Sequence, residues 1–159
     1  MKKTRQFLTI LLAGLVLTVF GAVVPKNTQK LELQQGWNLI ALAGEPLNPQ
    51  ELLSHQVLVF DNASRSYIQY TAGTKLERGQ SVWLYSTENQ PMELALVSTE
   101  TVPPETQPDG NAWSMIGAAT DTPSWLENVI QPFFRWDAVK GFVPESQPVA
   151  GQGYWVRMK

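Results

Sequence analysis

The sequence contains no cysteine and only one histidine, His55, among its 159 residues. Without cysteine, the chain can have neither a disulfide framework nor a lipid-modified cysteine anchor. A single histidine also leaves too little from which to build a His-based metal cluster or a Ser-His or Cys-His triad. His55 follows a predicted helix and precedes a predicted strand, where a surface loop residue is expected. We therefore predict no catalytic residue, no metal ligand and no cofactor.

Clustered positive charge is also missing. The formal net charge is −2, and the Lys and Arg residues form no basic patch along the chain. Because affinity for nucleic acid depends on clustered cations that neutralise phosphates, we predict that nucleic acid is not a partner. Loss of residues 1–21 would remove Lys2, Lys3 and Arg5 and make the remaining chain more acidic.

The amino-terminal segment has the pattern of an export signal. Lys2, Lys3 and Arg5 precede a run without charge over residues 8–24. A charged start followed by an apolar run is typical of a secretory signal, and the run is also long enough for an uncleaved anchor. Both alternatives place residues 26–159 outside the cytoplasm, in the periplasm or the extracellular space. Membrane contact is expected only through residues 8–24, in the inner membrane, if the segment stays attached.

Three pairs of matching segments occur in the same order, and they indicate an internal repeat. The pairs are GWNLIALAG at residues 36–44 with AWSMIGAAT at 112–120, residues 57–70 with 133–145, and RGQSVWLYS at 78–86 with AGQGYWVRM at 150–158. In the first copy Trp37 precedes Asp61 by 24 residues, and in the second Trp113 precedes Asp137 by the same spacing. We therefore predict two copies of one structural unit.

Each copy is predicted to contain short strands, a hairpin and one short helix. A capping residue, Asn48 or Thr122, stands before a proline, which is the start signal of a helix. Asp61 and Asp137 each stand at the entry to a hairpin turn. The predicted fold class is mainly β with minor α, as two tandem β-rich repeats packed with pseudo-twofold symmetry. An alternative is that the last strand of copy one, residues 92–97, completes copy two.

The boundaries follow from these patterns. We assign residues 1–25 to the signal peptide or anchor, 26–97 to repeat 1 and 112–159 to repeat 2. Between the repeats, residues 98–111 are polar and hold three prolines, so they are predicted to form an extended linker.

The order of GWNLI, an aromatic-Asp hairpin and GQGYWV resembles the tandem Trp-rich β modules of exported bacterial and archaeal surface proteins. The resemblance covers nearly all of residues 31–159. It implies a β-rich surface module and brings no catalytic motif that could be transferred to this chain. Copy two departs from the pattern, with Ala112 and Ser114 where copy one has Gly36 and Asn38.

Aromatic side chains are the strongest candidates for ligand binding. Strand alternation places Trp83 with Tyr85 on one face, and Trp155 with Arg157 on another. Exposed Trp and Tyr faces suit sugar binding, whereas burial of a repeated Trp in the core is the competing interpretation. Arg157 indicates that its face approaches solvent, with the guanidinium stacked on an aromatic ring. Trp125 has no aromatic counterpart in copy one, and we predict that it is exposed or at an interface.

Two other patterns have structural explanations. Asp61 and Asp137 could act as paired carboxylates of a glycoside hydrolase, but hydrogen bonding within their own turns is the favoured interpretation. Residues 61–66 hold oxygen-bearing side chains but lack the glycine and the distal glutamate of a calcium loop. The glycines of GQGYW precede a strand, whereas phosphate-binding glycines precede a helix. We interpret them as turn residues.

These observations predict an exported, non-catalytic binding or structural module of the cell envelope or exterior. Its partner would be an envelope protein or a glycan, bound through exposed aromatic side chains. Two alternatives stay open at this point. They are a carbohydrate-active hydrolase that uses the paired carboxylates and a membrane-tethered accessory subunit.

Overall fold

The computed structural model describes residues 26–61, 64–97 and 113–159. The described chain is mainly β, as predicted, with three antiparallel sheets. Its strands are β1 Lys26–Leu33, β2 Gly36–Ala41, β3 Glu45–Pro46, β4 Gln56–Asp61, β5 Ser66–Gln69, β6 Ser81–Ser86, β7 Gln90–Val97, β8 Trp113–Gly117, β9 Val129–Asp137, β10 Gly141–Glu145 and β11 Gly153–Met158. The predictions for the export signal and the linker fall outside the described residues. Among the described residues, no helix is long and apolar enough to cross a membrane.

Two four-stranded sheets have the same arrangement. The N-terminal sheet has the order β2-β6-β4-β5, and the C-terminal sheet has the order β8-β11-β9-β10. Each sheet therefore places its last strand between its first two. The registers also correspond, since Leu58 pairs with Trp83 in the first sheet and Phe134 pairs with Trp155 in the second. In the sequence alignment of the two copies, Leu58 corresponds to Phe134 and Trp83 corresponds to Trp155.

A third sheet belongs to the first copy alone. This outer sheet has the order β1-β7-β3, and β1 pairs with β7 along its full length. The strand predicted at residues 92–97 is thus confirmed as part of β7, which starts two residues earlier. In the described chain, β7 pairs only within copy one, so the alternative that it completes copy two is wrong.

The two predicted helices are shorter than two turns. In copy one α1 spans Gln50–Leu53, a single turn, and the Asn48 side-chain oxygen accepts a hydrogen bond from the Gln50 amide at 3.1 Å. In copy two the segment Ser124–Asn128 is a 3₁₀ helix. Strand β9 begins at the next residue, Val129, so the chain has no room to continue the helix.

Three apolar clusters stabilise the fold. The N-terminal sheet packs one face against the outer sheet around Leu42, Leu52 and Leu84. The C-terminal sheet covers a smaller core that contains Trp125 and Tyr154. The remaining face of each sheet meets the other sheet in a central cluster, which consists of Leu39, Phe60, Trp83 and Met115 with Trp37, Leu58, Trp136 and Trp155 packed against them.

Contacts between the two sheets occur in matching pairs. The Ala41 amide donates to the Gly151 carbonyl at 2.9 Å, and the Gly117 amide donates to the Gly79 carbonyl at 2.6 Å. In the sequence alignment Ala41 corresponds to Gly117 and Gly79 to Gly151, so this is one hydrogen bond made twice. These two hydrogen bonds thus join corresponding positions of the two sheets.

Aromatic contacts across the interface are reciprocal as well. Phe60 meets Trp155 with 4.9 Å between ring centroids, and Trp136 meets Trp83 at 5.1 Å. Phe60 corresponds to Trp136, and Trp155 corresponds to Trp83. The interface therefore places one aromatic pair on each side of its centre.

The glycines of GQGYW lie at a turn and at a close contact between the sheets, and not in a phosphate-binding loop. Gly151 has φ of +85°, in the left-handed region that favours glycine. Gly153 starts β11, and a Cβ there would lie 2.7 Å from both Leu39 Cγ and Ser81 Oγ. The absence of a side chain at Gly153 thus lets β11 approach the N-terminal sheet. The structural interpretation of these glycines is consistent with this packing.

Candidate binding cleft

The aromatic side chains proposed for ligand binding occupy different environments. Trp83 is 8% exposed in the central cluster, and Trp155 is half-buried against the same cluster. The neighbouring residues on the same strand faces, Tyr85 and Arg157, extend into solvent. The predicted sharing of faces is thus correct. Each strand buries its Trp between the sheets and exposes the residue two positions later.

Arg157 stacks on an aromatic ring, as predicted. Its guanidinium carbon lies 5.9 Å from the centroid of Trp113. Tyr85, at the corresponding position of copy one, packs against Trp37 with 5.3 Å between centroids. The first Trp of each copy is thus covered by a different group. The Arg157 guanidinium covers Trp113 in copy two, whereas the neutral ring of Tyr85 covers Trp37 in copy one.

The prediction that Trp125 is exposed or at an interface is wrong. Its side chain has no exposed surface, and its indole nitrogen donates to the Gly117 carbonyl at 3.1 Å. Trp125 packs against Phe133 and Tyr154 beneath the C-terminal sheet. The corresponding face of copy one is covered by the outer sheet. In copy two the 3₁₀ segment supplies one large side chain to cover it, so Trp125 is a core residue and is removed from the binding candidates.

An aromatic cleft of about 360 Å³ opens where the two sheets meet. Its lining consists of Trp37, Leu58, Tyr67 and Trp83 from copy one and Trp136 and Phe142 from copy two. Tyr67 and Phe142 lie on the edge strands β5 and β10 and are 47% and 49% exposed. Of the residues proposed from the sequence, Trp83 alone lines this cleft.

Hydrogen bonds fix the orientation of the cleft walls. The Trp136 indole donates to the Trp37 carbonyl at 2.7 Å, which connects the two sheets. The Trp83 indole donates to the Tyr67 hydroxyl at 3.3 Å. Ring contacts add to this, with Trp136 and Phe142 at 5.1 Å between centroids. These contacts connect the walls of the cleft to one another and to the N-terminal sheet.

One residue of the cleft lining is smaller than its counterpart in copy two. Leu58 lines the cleft and pairs with Trp83. The corresponding residue of copy two is Phe134, which pairs with Trp155 and packs against Trp113 at 5.7 Å between ring centroids. The side chain at this position is therefore smaller on the cleft side of the interface.

A second cavity, of about 430 Å³, lies on the other side of Trp37 and Trp136. Its lining is mixed and includes Arg135 and Asp137. Arg135 is held by ion pairs to Glu145 at 2.7 Å and to Asp137 at 3.4 Å. Arg135 and Asp137 in this cavity thus already have partners of opposite charge.

The two aspartates make hydrogen bonds within their own turns, as the favoured interpretation predicts. Asp61 accepts from the Ser64 hydroxyl at 2.6 Å, and Asp137 accepts from the amides of Val139 and Lys140 at 3.0 and 2.9 Å. These amide bonds, together with Arg135, lower the pKa of Asp137. A general acid of a hydrolase needs a raised pKa, so Asp137 does not fit that role. The part of the chain that the structure describes holds no cluster of three metal-ligating side chains.

The lowered pKa of Asp137 gives a pH-dependent contribution to stability. The folded state favours the carboxylate, so the contribution is present above the unfolded pKa, near pH 4, and is lost as the pH falls through the folded value. We expect Asp137→Asn to unfold at lower urea concentration than wild type at pH 7, with the gap closing as the pH falls through the lowered pKa of Asp137 in the folded state. Urea denaturation of both proteins across this range measures it. A gap of equal size at every pH would refute this origin.

Trp37, Tyr67, Trp136 and Phe142 were not among the residues proposed from the sequence. Trp37 and Trp136 were identified only as repeat positions. Tyr67 in copy one and Phe142 in copy two each follow a hairpin turn. Tyr67 pairs with Phe60 across its hairpin, and Phe142 pairs with Trp136 across the other. An aromatic residue at the same place in both hairpins was the available signal.

Comparison of this chain with protein-family models, with curated proteins and with solved structures gives no match. The resemblance to Trp-rich surface modules therefore stays a prediction from the sequence.

Proposed function

We propose that this chain is an exported, non-catalytic binding module of the cell envelope or exterior. It holds a group of an envelope glycan or of a protein partner in the aromatic cleft. The observation that carries the proposal is the convergence of five aromatic rings, from both halves of the chain, on one cleft.

The exposed rings support a binding role. Tyr67 and Phe142 each keep about half of their surface in water, on adjoining edges of the two sheets. Large aromatic side chains that stay exposed beside a concave apolar surface commonly mark an interaction site. Beside them, Trp83 donates a hydrogen bond to the Tyr67 hydroxyl and Trp136 donates one to the Trp37 carbonyl. These bonds restrict the side chains of the cleft, so a ligand has less conformational freedom to remove when it binds.

The likeness of the two halves supports an origin by internal duplication with pseudo-twofold packing. Matching strand orders, matching registers and reciprocal contacts all agree with the repeat in the sequence. In this proposal the interface between the copies provides the binding site, and the difference between Leu58 and Phe134 opens it on one side. The membrane-tethered accessory subunit is the same module with residues 8–24 retained as an anchor.

Filling the cleft should remove binding without removing any aromatic side chain. We expect Leu58→Phe, which introduces the residue present in copy two, to weaken binding at least about tenfold, or about 1.4 kcal/mol. The matched control is Trp113→Leu, at an exposed Trp outside the cleft, and it should bind like wild type. Tryptophan fluorescence titrations of the purified full-length chain with envelope glycans and envelope proteins provide the measurement.

The outcomes separate the candidate sites. Binding that survives in Leu58→Phe and is lost in Trp113→Leu would move the site to the Arg157 face of the C-terminal sheet. Equal binding by all three proteins would reject a role for the cleft. Equal unfolding midpoints are required, so that loss of binding is not loss of fold.

A further inference from the structure

The walls of the aromatic cleft meet almost at right angles. The ring planes of Trp83 and Trp136 form an angle of 80°, those of Trp83 and Phe142 one of 77°, and those of Trp37 and Trp83 one of 85°. Their centroids are 5.1, 6.3 and 6.4 Å apart. Rings in this arrangement face the cleft from different directions, so a group bound there can contact more than one ring.

The cleft has few hydrogen-bonding groups to offer a ligand. Among the residues that the structure describes, no charged side chain lines it. The indole N–H groups of Trp83 and Trp136 already donate to Tyr67 and to the Trp37 carbonyl. A primary amine depends on directional hydrogen bonds that most of this surface does not supply. The chemistry that remains is apolar contact and the negative electrostatic potential of ring faces.

The corresponding rings on the other side of the interface are covered by cations of the chain itself. Arg157 lies over Trp113, and Arg65 lies over Phe60 at 5.5 Å from the centroid. Trp113 corresponds to Trp37, and Phe60 corresponds to Trp136. Among the described residues, no Arg or Lys lies over either cleft ring. The same two positions are thus paired with a cation on one side of the interface and with other aromatic rings on the cleft side.

We infer that the aromatic cleft recognises a quaternary ammonium group, R–N(CH₃)₃⁺. This inference rests on the proposed function and names the ligand chemistry of that site. Ring faces attract the cation, its methyl groups make apolar contacts with the cleft walls, and it needs no hydrogen bond. The negative net charge of the chain favours a cation over an anion at long range.

This chemistry occurs in small solutes, such as choline and glycine betaine, and in the headgroup of choline phospholipids. The exposed position of Tyr67 and Phe142 at the mouth leaves the site open to either source. The two sources are distinguished by comparing free choline with vesicles of phosphatidylcholine and with vesicles of phosphatidylglycerol as the control surface.

The test uses choline chloride and its neutral analogue 3,3-dimethylbutan-1-ol, which has the same shape without the charge. We expect the full-length chain to bind choline at least about tenfold more tightly than the analogue, by isothermal titration calorimetry. Tyr67→Leu and Phe142→Leu should each weaken choline binding by at least about threefold, since each removes one wall from the edge of the cleft. Trp113→Leu should leave it unchanged.

The results that overturn the inference differ from those that overturn the proposed function. Equal affinity for choline and the neutral analogue would make the cleft an apolar cavity without cation selectivity. Binding of a glycan that Leu58→Phe abolishes, with no choline binding, would reject the inference and keep the proposed function. The Leu58→Phe substitution could also leave every binding measurement unchanged, with choline, with the vesicles and with envelope glycans and proteins. That result would reject both the inference and the proposed function.

Discussion

Trp125→Ala is expected to lower the free energy of unfolding by about 3–5 kcal/mol, the range found for removal of a large buried aromatic side chain. Trp125 is fully buried and contacts Phe133 and Tyr154 at centroid distances of 5.6 and 6.1 Å. Alanine would leave a cavity in the smaller of the two sheet cores. It would also leave the Gly117 carbonyl without its indole donor.

Trp113→Ala provides the matched control. Trp113 is 41% exposed, at the start of an edge strand, and its replacement should cost no more than about 1 kcal/mol. Urea denaturation followed by far-UV circular dichroism compares the two variants. If the two losses were equal, Trp125 would not have the core position described here.

Gly117→Ala is expected to lower the free energy of unfolding by about 1–3 kcal/mol, as overpacking of a tight contact does. A Cβ at this position would lie 2.5 Å from Ala41 Cβ and 2.7 Å from the Gly79 carbonyl oxygen. Because one of these atoms belongs to the backbone, the sheets must move apart. The hydrogen bond from Gly117 to Gly79 would then lengthen, and the central cluster would loosen.

Two comparisons make this second prediction specific. Gly73→Ala is the control, because a Cβ there meets no atom within 4 Å. The double variant Ala41→Gly with Gly117→Ala exchanges corresponding residues of the two copies. It should recover part of the lost stability, since it removes the closest contact. Additive losses in the double variant would argue against direct packing of Ala41 on position 117.

The parts of the fold that the sequence predicts are those encoded by local pattern. The turn positions of Asp61 and Asp137, and the face shared by Trp155 and Arg157, follow from hairpin chemistry and strand alternation. Strand β1 was missed although Leu31 and Leu33 alternate with exposed residues, because this stretch precedes the first of the matching segments and has no counterpart in copy two. The second helix was predicted as α because a proline start signal does not determine where the next strand begins.

The candidate site depends on tertiary contacts that no local pattern encodes. Trp125 was predicted to be exposed because copy one has no aromatic residue there. The sequence comparison could not show that the outer sheet covers copy one and has no equivalent in copy two. Likewise, Leu58 and Phe142 are far apart in the chain, and only the packing of one sheet on the other places them in one cleft.

The central claim is that ligand binds in the cleft between the two halves, and tryptophan indole resonances test it residue by residue. All six Trp residues lie in the described chain, and each gives one ¹H–¹⁵N indole signal that single Trp→Phe variants assign. On titration with choline, or with an envelope glycan that binds, we expect saturable shifts at the three Trp residues that line the cleft. These are Trp37, Trp83 and Trp136. Signals of Trp113 and Trp125 should stay in place, and a saturable shift at Trp113 with none in the cleft would contradict the account.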